Sequence, residues 1–433
     1  MILVFMAICI ASYCQYRKVV LFTASSLMFL PQLGSGIAGV KLFFAVAIIQ
    51  IALFYMEGFY KRRTESYPLW LLIPGVTTAI GYILSNQFGV IKNLPIIIVN
   101  CLCYFYYPYI IWHLIDSEQR LKYYLKSLLT FFICVSVYAL IEFIIGHNIV
   151  AEVFIHSGIA EGIMGGEDAR ERFGLLRCNS FLPYSSSLGM VCSLVFFVLL
   201  NMKVLNIKIH RQKENFLLLM LPFCVLLSGT RSQFCVFAIC VVPFLLRKDF
   251  LKTKVAKTLI VIAGLILLIF NRFFYVIIDS ILHSDNAEMG STSQLRVTQF
   301  EICYSYFIES PIWGFGKNYI WEYIKPEHDL LFGAESIWFP TMVDYGLVGC
   351  MNYLFVVIGT IMVLKKYNKF LILLPIAFLF GKTISIVIAV EQNFLLIMAI
   401  VLIKMYKYST LFPNTIISSS RTKYEDSRHS NHA

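Results

Sequence analysis

The chain has 433 residues, of which 59% are hydrophobic and only 14% are charged. Soluble globular proteins carry about 25% charged residues, so this composition excludes a water-soluble enzyme and indicates a polytopic membrane protein. Lysine and arginine number 36 against 25 acidic residues, a net charge of +11. In a membrane protein such an excess indicates cytoplasmic loops and lipid headgroups as its partners, and no nucleic acid.

Apolar runs separated by short polar breaks extend along most of the chain. They predict an all-α, polytopic inner-membrane protein with about 12–13 transmembrane helices. The runs are 2–14, 18–34, 36–56, 69–87, 92–115, 127–146, 183–200, 215–230, 232–246, 258–279, 338–364, 370–388 and 393–406. They divide the chain into N-terminal helices (1–146), a first long loop (147–181), central helices (182–279), a second long loop (280–337), C-terminal helices (338–406) and a tail (407–433).

The distribution of lysine and arginine predicts the orientation in the membrane. With residues 61–63 in the cytoplasm, alternation of the spans places 25 of the 36 basic residues in cytoplasmic breaks, together with the tail. The two long loops then lie on the outer, periplasmic face, and we expect the chemistry there. The basic residues outside the cytoplasmic breaks are Lys41, Lys92, Arg170, Arg172, Arg177, Arg231, Arg272, Arg296, Lys317, Lys325 and Lys382.

A first candidate segment is the Ser-Gly-Thr-Arg sequence at residues 228–231, between two apolar runs. An arginine at membrane depth is costly unless it is paired or faces water. Arg231 is then either a snorkelling arginine at a tight outer turn, or a cation that meets an anionic, lipid-linked ligand. Guanidinium suits phosphate because its planar fork donates two parallel hydrogen bonds.

A second candidate segment is residues 293–310, which we predict to be an amphipathic helix on the outer face, followed by a glycine turn at 314–316. Arg296 is either a solvated arginine of a lid helix or a cation over a cavity. The aromatic residues expected to surround that cavity are Tyr304, Trp313, Tyr319, Trp321 and Tyr323. Aromatic rings stack on sugar faces, and they also accumulate at lipid interfaces.

A third segment begins at Glu335 and continues through Asp344 to the glycines at 346 and 349. Glu335 is either the N-cap of the next helix or a base that accepts a proton from a hydroxyl. His328, seven residues earlier, is the alternative base. At the end of the first long loop, Arg172 is expected in internal salt bridges, whereas Arg177 lies nearer the next helix and is the better ligand candidate.

These segments resemble, in order and spacing, motifs of the O-antigen ligase / O-antigen polymerase (Wzy-type) membrane glycosyltransferase family. Residues 226–232 are similar to its LLSGSR turn, and Arg296 with residues 307–316 to its arginine, proline and glycine loop. Residues 335–349 are similar to its HN-x-y-L…G-l-i-G element, and 172–189 loosely to its Arg-Gly-x-x-x-N-P stretch. The resemblance covers roughly residues 125–400. Where the ligases carry histidine this chain has Glu335, which favours a polymerase.

The resemblance implies transfer of a glycan from undecaprenyl diphosphate to the hydroxyl of another lipid-linked repeat unit, on the outer face of the bacterial inner membrane. Alternatives are a ligase that moves polymer to a lipid A-core or protein acceptor, and a non-enzymatic flippase. No cofactor and no metal are expected, and the further expected partners are membrane lipids, a chain-length regulator and a flippase. The expected catalytic residues are Arg231, Arg296 and Glu335; the expected substrate-binding residues are Arg172, Arg177, Tyr304, Trp313, Lys317 and His328.

Overall fold

The chain is almost entirely helical wherever the computed structural model describes it. The described residues are 10–26, 42–58, 66–73, 76, 98, 101–150, 152, 171–172, 175–182, 184–246, 257, 260–261, 264, 293–316, 319–331, 336–384 and 392–411. Within them, the one departure from helix and turn is a two-residue ladder, in which β1 (Glu171–Arg172) pairs antiparallel with β2 (Leu175–Leu176). The predicted all-α class is confirmed.

The α-helices follow one another along the chain with short connections between most neighbours. They are α1 (Tyr16–Ser26), α2 (Leu42–Met56), α3 (Tyr107–Leu114), α4 (Glu118–Ile145), α5 (Ser185–Val204), α6 (Arg211–Leu227), α7 (Arg231–Leu245), α8 (Ser293–Glu309), α9 (Trp338–Lys365), α10 (Leu373–Ile384) and α11 (Gln392–Leu411). Single turns of 3-10 helix occur at Leu69–Leu71, Asp329–Leu331 and Lys369–Ile372, and of π-helix at Leu102–Tyr106 and Ile320–Ile324.

Helices α4, α5 and α9 are long and apolar enough to cross a membrane among the described residues. They contain 28, 20 and 28 residues, and about 20 residues suffice to span the hydrocarbon core. The chain is therefore a membrane protein. The number of spans and their orientation stay predictions, because apolar runs such as 69–87 and 258–279 lie largely outside the described residues.

Helix α4 begins at Glu118, earlier than the apolar run that predicted it at 127. Ser117 caps the helix, since its hydroxyl oxygen accepts the Arg120 N–H at 3.4 Å. Lys122 pairs with Glu118 one turn away, which suits an exposed first turn. Charged residues therefore extend the helix beyond the part that hydropathy detects.

Helices α5 and α11 lie at the centre of the bundle. Residues 185–202 of α5 and 393–406 of α11 are buried on all sides of their helices. Helices α6, α7 and α10 pack against α5. Lys404 is buried within α11, where its ammonium lies 4.3 Å from the centre of the Trp112 ring.

The two ends of α5 carry different polar groups. At its C-terminal end, the Asn201 side-chain oxygen accepts the Tyr406 hydroxyl at 3.1 Å. Nearby, Lys203 pairs with the buried Glu214. Burial alone would raise the pKa of Glu214, but the Lys203 ammonium and the backbone N–H groups of residues 209 and 210 together hold that pKa below its ordinary value. The N-terminal end of α5 faces the turn between α6 and α7.

Candidate active site

The turn between α6 and α7, residues 228–231, is rigidly held and ends on Arg231. Gly229 has a φ of +59°, a left-handed conformation that favours glycine. The Ser228 hydroxyl donates to the Val225 carbonyl oxygen at 2.6 Å, and it lies 2.9 Å from the Thr230 hydroxyl. Arg231 is half-buried and is the first residue of α7, where outward-pointing backbone N–H groups favour an anion. We call residues 228–231 the arginine turn.

Arg177 lies across the arginine turn. Its Cγ is 2.9 Å from the position that a Cβ would occupy at Gly229, so a larger residue there would collide with it. The next N–H, of Cys178, donates to the Leu227 carbonyl oxygen at 2.9 Å and joins this segment to the end of α6. The structure therefore brings Arg177 together with the turn that carries Arg231. Arg172 lies in β1, and its side chain is not among the described ones.

Helix α5 supports the arginine turn from behind. A Cβ at Gly189 would lie 2.7 Å from the Gln233 Cβ and 2.8 Å from the Ser228 Oγ. Ser228 and Gln233 are fully buried in this contact. With α5 on one side and Arg177 on the other, the backbone before Arg231 has little room to move.

Helix α8 confirms the predicted helix at 293–310, but its faces differ from the expectation. Gln299 and Cys303 are fully buried, and Arg296, one turn earlier on the same face, is half-buried. Gln299 donates from its side chain to the Leu330 carbonyl oxygen at 3.2 Å. Tyr304 is on another face, 45% exposed. Arg296 thus belongs to the packed face of the helix.

The segment after α8 crosses helix α9 at a pair of glycines. Helix α9 is kinked at Gly346, whose φ of +61° and ψ of −154° are not helical. A Cβ at Gly314 would lie 2.5 Å from the Asp344 carbonyl carbon, and a Cβ at Gly346 would lie 2.6 Å from the Ile312 carbonyl. We call this contact the glycine crossing. It makes the second and third sequence motifs one structural element.

Backbone hydrogen bonds run through the glycine crossing on both sides of the kink. The Phe315 N–H donates to the Val343 carbonyl oxygen at 2.9 Å, and the Leu347 N–H donates to the Pro311 carbonyl oxygen at 2.8 Å. The buried Asp344 carboxylate also accepts the Ile320 N–H at 3.1 Å. Asp344 is therefore an anchor for the chain that follows the crossing.

The aromatic residues expected around a cavity fall into separate stacks. Tyr319 stacks on Tyr323 with ring centres 5.0 Å apart, whereas Tyr304 stacks on Phe300 at 5.5 Å. The half-buried His328 ring lies edge-on to Tyr306 at 6.3 Å. The remaining members are Trp313, 38% exposed, and Trp321, whose ring lies 5.4 Å below the Lys325 ammonium. The structure does not join these rings into one surface within the described residues.

Glu335 and Lys317 lie outside the described residues, but the residues that follow Glu335 are placed. The Ile337 N–H donates to the Lys382 carbonyl oxygen in α10 at 3.0 Å. Next to Lys382, a Cβ at Gly381 would lie 3.0 Å from the Val236 Cγ2 in α7. Val236 is five residues after Arg231, about 7.5 Å along the helix axis. The beginning of α9 therefore lies near the arginine turn.

The comparison with known families identifies the middle of the chain. Residues 216–354 match the family model described as O-antigen ligase. The match supports an O-antigen ligase/polymerase-type family. This confirms the resemblance seen in the sequence motifs, and it leaves ligase and polymerase unseparated. No curated protein matches the chain.

The O-antigen ligase match begins inside α6 and ends inside α9, so it includes Arg231, Arg296 and the glycine crossing. Members of this family are membrane glycosyltransferase-like enzymes, ligases and polymerases. Arg177 lies before the matched residues, and its place beside the arginine turn comes from the structure alone. Sequence analysis also missed Glu142, a buried carboxylate near the end of the apolar helix α4. Its signal was a single acidic residue in an otherwise apolar run.

The glycine crossing predicts a large loss of stability for Gly346→Ala. The alanine Cβ would meet backbone atoms that have no side-chain freedom to move away, and its backbone conformation is open essentially to glycine alone. We expect a loss of about 3 kcal/mol or more, measured as a lower unfolding temperature in detergent. Gly146→Ala is the matched control, because Gly146 also has a positive φ but has no atom within 4 Å of its Cβ position. Equal effects of the two substitutions would contradict the crossing.

Proposed function

We propose that this protein is a polysaccharide polymerase. It transfers a glycan from undecaprenyl diphosphate to a hydroxyl of another lipid-linked repeat unit on the outer face of the bacterial inner membrane. The observation that supports the proposal most directly is the contact of Arg177 with the arginine turn, which groups two cations beside the start of α7. Clustered guanidinium groups and a helix N-terminus suit a diphosphate.

The proposed reaction uses these cations to stabilise the leaving group. The acceptor hydroxyl attacks the anomeric carbon of the donor glycan, and the bond from that carbon to the diphosphate oxygen breaks. Negative charge then grows on undecaprenyl diphosphate, where Arg231 and Arg296 stabilise it and Arg177 helps to bind it. Glu335 takes the proton of the hydroxyl. Diphosphate is a good leaving group, so the reaction needs no metal and no general acid.

A ligase is the second candidate, and the match to the O-antigen ligase family supports it equally. The two enzymes share the donor and differ in the acceptor, which is lipid A-core or a protein for the ligase. Glu335 favours the polymerase, because the resemblance places a histidine at this position in ligases. A flippase is the non-enzymatic alternative. It is less well supported, because basic residues outside the cytoplasmic breaks concentrate around the two long loops.

A strain lacking the gene separates these functions. We expect single repeat units on the final acceptor, or lipid-linked units accumulating on the outer face, when extracted glycans are sized by mass spectrometry. Loss of a ligase would leave long polymer on undecaprenyl diphosphate, and loss of a flippase would trap single units on the cytoplasmic face. Long lipid-linked polymer in the deletion strain would rule out the polymerase.

A further inference from the structure

Glu142 is a buried carboxylate that the proposed reaction does not use. It lies near the end of α4 and is only 4% exposed. Burying a carboxylate costs several kcal/mol unless hydrogen bonds replace its lost water. A residue of this kind in a membrane helix therefore has a structural or functional reason to be there.

The hydrogen bonds to Glu142 come from the segment that carries Arg177. The Asn179 N–H donates to both carboxylate oxygens at 3.1 Å, and the Ser180 N–H donates to Oε2 at 2.6 Å. We call residues 177–180 the strap. Ser180 has a φ of +55°, a left-handed conformation that its surroundings must maintain.

Further contacts hold the same end of the strap. The Ser180 hydroxyl donates to the Val135 carbonyl oxygen at 2.9 Å, and the Asn148 side chain donates to the Ser180 carbonyl oxygen at 2.8 Å. At the other end, the Cys178 N–H is bonded to Leu227, just before the arginine turn. The strap is thus fixed between α4 and α6, with Arg177 at the end that reaches Gly229.

We infer that Glu142 is a positioning residue, which holds the strap so that Arg177 lies across the arginine turn and adds its charge to that of Arg231. The inference rests on the proposed function, since Arg177 serves there as a substrate-binding group. Glu142 acts through Arg177 and makes no contact with the substrate itself. A carboxylate suits this role because its two acceptor oxygens serve two adjacent backbone N–H groups at once.

The first test is kinetic, in proteoliposomes with undecaprenyl-diphosphate-linked repeat units as substrate. Glu142→Gln keeps the size but replaces one acceptor oxygen with an NH₂ group that faces the strap N–H groups. We expect KM for the lipid-linked donor to rise about 10- to 100-fold, the change that corresponds to one lost hydrogen bond to a charged group, with kcat changed less. Glu118→Gln, the same substitution at the exposed first turn of the same helix, should leave both constants unchanged.

A double substitution distinguishes positioning from general stability. If Glu142 acts through Arg177, adding Glu142→Gln to Arg177→Met should change KM no further. Multiplying effects of the two substitutions would overturn the inference. So would an unchanged KM in Glu142→Gln.

The second test does not depend on activity. Cys178 is fully buried in the strap, and burial raises the pKa of its thiol, so a water-soluble maleimide should react with it slowly in the wild type. Labelling at Cys178, followed by mass spectrometry, should become faster in Glu142→Gln and stay slow in Glu118→Gln. Equal labelling in all three proteins would overturn the inference. If the wild type transfers no glycan, the proposed function fails, and the labelling still decides whether Glu142 holds the strap.

Discussion

Arg231→Lys is expected to lower the rate of glycan transfer by about 10²–10³ while the protein remains in the membrane. Lysine keeps the positive charge but loses the planar fork that holds two phosphate oxygens at once. The arginine turn cannot move to compensate, because α5 and Arg177 pack against it on both sides. Transfer rates with lipid-linked substrate, divided by the amount of membrane protein, measure the effect. Arg296→Lys is expected to behave alike.

The control for this prediction is Arg211→Lys. Arg211 is also the first residue of a helix, α6, but it is exposed and lies at the opposite end of that helix from the arginine turn. It should show nearly wild-type transfer, because a solvated surface charge contributes about 0–1 kcal/mol. Full-length polymer from both Arg231→Lys and Arg296→Lys at normal protein level would refute the role of these arginines in binding the diphosphate.

Glu335→Gln is the second substitution with a large expected effect. Glutamine keeps the size and can still cap a helix, but it cannot take a proton from the acceptor hydroxyl. A general base contributes about 10²–10⁴ in rate, so most of the transfer activity should disappear while the amount of protein in the membrane stays constant. Glu335→His should retain part of the activity, because imidazole can take the proton in its place.

Glu335→Ala separates the base from a helix cap. If Glu335 only caps the beginning of α9, alanine should cost about 1 kcal/mol of stability and leave the turnover of each folded molecule unchanged. Polymer length and membrane protein level, measured together for the three Glu335 variants, distinguish these cases. Full activity of Glu335→Gln would reject the base, and His328 would then be the next residue to test.

Local features of the fold were predictable from sequence, because they depend on neighbouring residues. The Ser-Gly-Thr-Arg sequence predicted a tight turn, and Gly229 has the left-handed φ that such a turn needs. The long apolar run at 338–364 predicted helix α9 to within one residue. The beginning of α4 was missed because its first turns are charged, and hydropathy detects only the apolar part of a helix.

The arrangement of the candidate site was not predictable in the same way, because it depends on contacts between distant segments. Nothing in the sequence around Arg177 indicates that its side chain lies on Gly229. The glycines at 314 and 346 were recognised as parts of two separate motifs, and only their close approach shows why both must lack a side chain. The aromatic ring around a cavity was inferred from composition, and composition does not determine which rings stack together.

Reconstitution of the purified protein in liposomes tests the central claim, that this chain itself elongates glycans on undecaprenyl diphosphate at the arginine turn. Lipid-linked repeat units would be the only substrate, and the lipid-linked products would be sized by mass spectrometry. The account predicts a ladder of longer glycans together with released undecaprenyl diphosphate for the wild type, and single units for Arg231→Met. A wild-type protein that leaves the units single, under conditions in which membranes of the producing cells elongate them, would contradict it.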